Sequence, residues 1–210
     1  MEEQKPINVV FDLIEKDESI LAKAGIMGTK SDLGRFIAKF NSAKNLSKIE
    51  FNNTSYETAN EYSELLKLVM YVSALESYLI FTNKLSAPPF PYHIAEKLFQ
   101  NDKFTEFVNE IREIEWDMEF YNFIKEKSNR NIAHLIDKYQ IAQDINLIYL
   151  ITGVRHIFVH GLLTPNVRSS NPHYVAQIVA KLNDAIKTAI SLDFDSKINS
   201  IINKGNDYEN

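Results

Sequence analysis

Between Gly34 and Gly153 the chain contains no glycine. Tight hairpin turns rely on residues with positive φ, which glycine supplies at least steric cost. A glycine-free run of this length therefore argues against a strand-and-turn architecture. Through the same run, apolar residues recur with the 3.6-residue period of helices. The whole chain of 210 residues has only 6 Gly and 6 Pro, about half the usual combined frequency. We expect an all-α fold, an up-and-down helical bundle with an N-terminal helical extension. A chain of this size buries roughly 70% of the surface it exposes when unfolded. One domain spanning 1–210 is expected, with 1–53 as the extension, 54–192 as the core bundle and 193–210 as a tail.

The pattern divides into successive helices. Ile7 to Ala24 is a first helical stretch behind Pro6, closed by Gly25 and Gly28. Ser31-Asp32 is positioned to cap a short helix bearing Leu33, Phe36, Ile37 and Phe40. Thr54 and Glu57 have capping-box spacing at the head of the longest helix, Thr54 to Leu85. Its apolar face of Leu65, Leu68, Val72, Leu75 and Leu79 belongs in a core. Pro88, Pro89 and Pro91 end it. Tyr92 to Phe99, Lys103 to Lys127, Asn129 to Tyr139, Asp144 to Gly161 and Pro172 to Leu192 follow as helices. The tail from Asp193 has a weaker pattern and is expected to fray.

Composition removes several function classes. The absence of cysteine excludes disulfides, thiolate metal sites and cysteine nucleophiles. The acidic, polar start Met1-Glu2-Glu3-Gln4-Lys5-Pro6 lacks the pattern of a secretory signal. The longest strongly apolar run, Ile145 to Val154, is shorter than the roughly 20 residues of a spanning helix. We expect a cytoplasmic protein with no membrane segment. There is no phosphate-binding glycine loop, no Gly-x-Ser-x-Gly and no Cys/His or carboxylate cluster with convincing metal spacing. No cofactor and no metal are therefore expected, and Glu110, Glu113 and Asp117 read as a solvated acidic face.

The net charge of −5 argues against capture of nucleic acid by bulk charge. The segment from Ile145 to Ile190 is different. Arg155, Arg168, Lys181 and Lys187 stand there against Asp184 alone, a net +3, with His156, His160 and His173 in addition. A small basic cleft that admits a single strand remains compatible with this distribution.

One stretch of that segment stands apart: Ile151-Thr152-Gly153-Val154-Arg155-His156-Ile157-Phe158-Val159-His160-Gly161. An arginine and two histidines interrupt an otherwise apolar helix, where an unpaired charge is costly. His156 and His160 are four residues apart and share a helix face. This segment resembles the signature of the HEPN superfamily of nucleotide-handling and RNA-cleaving helical bundles. That signature is Arg, four to six residues, then His, with a polar residue after the Arg and often a Gly after the His. Arg155, His156, His160 and Gly161 match it.

The resemblance implies metal-independent RNA cleavage in a cleft shared by two copies of the chain, which meet through the motif helices. It assigns Arg155 to phosphate contact and His160 to proton transfer, with His156 orienting or making a second contact. RNA is then the substrate, a homodimer the active form, and a toxin or defence effector, with a partner antitoxin protein, the biological setting. Some toxins of the family carry a tyrosine two residues beyond the motif His that a partner enzyme modifies; here that position is Leu162. The alternative is a non-catalytic module of the same type that binds nucleotide, RNA or a partner protein.

Other residues are weaker candidates. Glu76, on the apolar face of the longest helix, reads as a rim carboxylate or as a buried partner for Arg155. His173 reads as an N-terminal-turn residue or a cleft residue. His93 follows three prolines as a helix-start residue. Arg130 and His134 have only three residues between them, which suits a surface pair.

Overall fold

Helix follows helix through residues 4–83, 92–100, 102–115, 117–141, 146–164 and 174–206, the residues that the structure, a computed structural model, describes. No strand occurs among them. In chain order the helices are α1 (Gln4–Lys16), α2 (Ser19–Lys23), α3 (Lys30–Asn45), α4 (Tyr56–Asn83) and α5 (Tyr92–Ala95), which continues as a 3₁₀ turn, Glu96–Phe99. Then come α6 (Asp102–Ile114), α7 (Glu119–Lys127), α8 (Arg130–Ile141), α9 (Leu147–Val159) and α10 (Val175–Asn206).

Several boundaries differ from the sequence expectation, and local hydrogen bonding explains them. The first helical stretch divides where the Asp17 carboxylate accepts from the Ser19 amide at 2.9 Å and opens α2. At α3 the cap is Thr29, not Ser31. The Asp32 amide donates to its Oγ1 at 3.2 Å and the Thr29 amide donates to Asp32 Oδ2 at 3.0 Å, a complete capping box. At α4 the cap is Ser55, which accepts from the Thr58 amide at 3.2 Å, while Thr54 donates to Asn52. The expected helix from 103 to 127 breaks at Met118, whose φ of 60° lies in the left-handed region. Glu115, only 2% exposed, accepts there from the Tyr121 amide at 3.0 Å and so starts α7.

α4 packs most extensively against α3 and α10. Phe36 meets Tyr78 at 4.9 Å and Phe40 meets Tyr71 at 6.0 Å, so α3 and α4 run antiparallel. Asn183 donates to the Glu64 carbonyl at 3.0 Å, and Tyr78 donates to Asp193, so α4 and α10 advance together. Of the expected extension 1–53, the described residues 4–53 supply α1 to α3, and Val10, Ile14, Leu33 and Phe36 join the common core cluster. α10 runs well past Leu192, because Phe194 packs at 5.1 Å on Phe36 and Ile198 and Ile201 are buried. The 193–206 part of the expected tail is thus part of the bundle. By length and mean hydropathy α4 alone among the described residues reaches what a membrane-crossing helix needs, but 61% of its apolar window is buried inside the protein.

Candidate functional site

α9 carries the motif, and its register is set at both ends. At its start the Asn146 side chain accepts from the Ile148 amide at 3.2 Å and donates to the Glu96 carbonyl at 2.7 Å. One turn on, the Tyr149 hydroxyl donates to Glu96 Oε2 at 2.9 Å. Leu147, Ile148, Leu150, Ile151, Val154 and Ile157 are buried. Gly153 lets α9 lie close on α7 and α8: a Cβ there would meet Ile136 Cδ1 at 2.7 Å and Ile124 Cγ2 at 2.8 Å.

The C-terminal end is a Schellman motif. Gly161, with φ of +70°, donates its amide to the Phe158 carbonyl at 2.9 Å, and Leu162 donates to Ile157 at 2.8 Å. The glycine of the signature thus has a structural reason here: it stops the helix so that His160 is the capping residue and is exposed.

Arg155 is half-buried. Its Nε is buried with no hydrogen-bond partner, and no carboxylate lies within ion-pair distance among the described residues. A guanidinium in that position retains its capacity to bind an anion. His156 is half-buried, and its ring meets that of His160 edge-to-face with centroids 4.5 Å apart. Burial holds the His156 pKa below its ordinary value, and the neighbouring His160 and Arg155 charges lower it further. The three motif residues thus share the last turns of one helix.

The remaining candidates separate from this group. Glu76 is half-buried and makes no ion pair with Arg155. The motif end of α9 reaches α4 at Tyr62, whose ring lies 6.4 Å from Phe158. Glu76 sits about 21 Å further along that helix axis at 1.5 Å per residue, so the pairing with Arg155 does not form. His173 lies outside the described residues. His93 falls in the first turn of α5. Arg130 and His134 are both exposed on α8. Glu110 pairs with Lys181 at 2.9 Å, which offsets part of the local positive charge read from the sequence. Asp117 accepts from the Glu119 amide at 3.1 Å. Among the described residues no group of three or more His, Asp or Glu is placed to hold a metal.

Glu61 is the residue that sequence reasoning missed. It occupies the position one turn before Leu65 on the apolar stripe of α4, and its Oε1 is buried without a partner. Burial pushes its carboxyl up to about 7. Next to it, Tyr62 bridges Phe51 at 5.2 Å and Phe158 of the motif helix. The sequence signal was present, a carboxylate in register with Leu65 and Leu68. Compared with known proteins, the chain matches no family model, no curated protein and no solved structure.

Proposed function

We propose that the chain is a metal-independent endoribonuclease of the HEPN type, acting as a toxin or defence effector. The observation that supports this most is Arg155, a half-buried guanidinium with no carboxylate partner among the described residues, beside two imidazoles at an exposed helix end. A positioned cation of this kind stabilises charge developing on a phosphoryl group. In the reading, Arg155 holds the scissile phosphate. The ribose 2′-oxygen attacks phosphorus, the P–O5′ bond breaks, and one proton leaves the 2′-hydroxyl while another reaches the departing 5′-oxygen. His160, exposed at the helix end, carries a proton in this exchange. His156 orients it or makes a second contact.

Two copies meeting at the motif helices complete the cleft in this reading. Its support is the apolar surface around His160, with Val159 54% exposed and Leu162 50% exposed.

The test is incubation of the purified chain with tRNA and bulk RNA in EDTA. Cleavage by the wild type, reduced about 100-fold or more in Arg155→Ala, is the expected result. RNA bound tightly by both proteins without turnover would identify a binding module instead.

A further inference from the structure

His156 and His160 are one turn apart on the same face of α9, and their ring centroids are 4.5 Å apart. Two imidazoles bound to one metal ion at about 2.1 Å, with an N–metal–N angle of roughly 90–110°, have centroids roughly 4.5–5.3 Å apart. The observed separation falls at the near edge of that range; from their edge-to-face packing the rings turn about their side-chain torsions to aim one nitrogen each at a shared ion. His160 is exposed and leaves the remaining coordination positions open to water. The site sits at the C-terminal end of a helix, where the macrodipole favours a cation, and this partly offsets the neighbouring Arg155 charge. Imidazole pairs suit zinc, nickel and copper rather than magnesium or calcium.

We propose that His156 and His160 form a chelating site for one divalent transition-metal ion, and that its occupancy switches the motif off. A metal-bound imidazole nitrogen has no lone pair with which to take a proton, so an occupied pair neither accepts nor delivers one. The binding stands on the helix-end geometry alone; the switching rests on the RNA-cleavage reading above.

The experiment is calorimetric titration of the full chain with Zn²⁺, comparing wild type with His156→Gln, His160→Gln and His134→Gln. Circular dichroism first establishes that each variant is folded. One ion per chain is expected in the wild type, with affinity about tenfold or more weaker in either motif variant and unchanged in His134→Gln. Undiminished affinity in His160→Gln overturns the site. Half an ion per chain overturns it too, because the ion would then bridge two copies rather than two turns. RNA cleavage is followed in parallel with added Zn²⁺. A chain that binds Zn²⁺ through both histidines but cleaves no RNA keeps the site and loses the nuclease reading. A chain that cleaves RNA and ignores Zn²⁺ does the reverse.

Discussion

Gly153 faces Ile136 so closely that a Cβ at position 153 would stand 2.7 Å from Ile136 Cδ1. The motif helix is therefore seated on α8 through a missing side chain. Gly153→Ala forces Ile136 and Ile124 apart, an overpacking that costs roughly 1–3 kcal/mol. Better helix propensity returns up to about 1 kcal/mol of that. Denaturant unfolding should record a net loss of up to roughly 2 kcal/mol, whereas raised stability would contradict the close packing.

The pH response of the histidine pair follows from its geometry. His156 binds its proton more weakly in the folded chain than in the unfolded one. The unfolded chain therefore holds more protons as pH falls through the ordinary histidine range, and the fold loses stability in that window. His160→Ala removes one of the charges that depress His156. An NMR titration should then place the His156 pKa higher than in the wild type; an identical titration would show that the two rings do not interact.

Glu61 gives the opposite slope. Its folded carboxyl titrates at about 7 against an ordinary 4.5, so between these values the folded state holds more protons than the unfolded. Stability falls as pH rises through that window and levels off above it. Glu61→Gln removes the slope. Because part of the side chain meets water, the gain above pH 7 is about 1 kcal/mol. Thermal unfolding of both proteins at pH 5 and pH 8 checks this, and equal differences at the two pH values would refute it.

Helices and core faces were legible because period and apolar spacing are properties of the chain itself. Leu65, Leu68, Val72, Leu75 and Leu79 form the buried stripe expected of them. Caps were legible only to within one or two residues. Thr29 and Ser31, or Thr54 and Ser55, offer nearly equivalent hydroxyls, and backbone geometry selects between them. The break at Met118 carries no glycine or proline to announce it and is sustained by the buried Glu115. The continuation of α10 depends on Phe194 finding Phe36 and Tyr78, helices far away in sequence.

The candidate site divides in the same way. The face shared by His156 and His160 followed from a spacing of four, whereas Gly161, expected as the last residue of the helix, lies just beyond its cap. Whether Glu76 or another carboxylate faced Arg155 depended on how α4 and α9 slide past each other, which spacing within one helix cannot encode. Tyr62, packed at 6.4 Å on Phe158, marks that register.

The central claim is that the exposed imidazole of His160 transfers a proton during RNA cleavage. The most direct measurement is the cleavage rate of a defined RNA in EDTA by equal amounts of folded wild type and His160→Ala. The account predicts a rate at least about 100-fold lower in the variant, with the fold retained because the side chain points to solvent. Equal rates in the two proteins would contradict it.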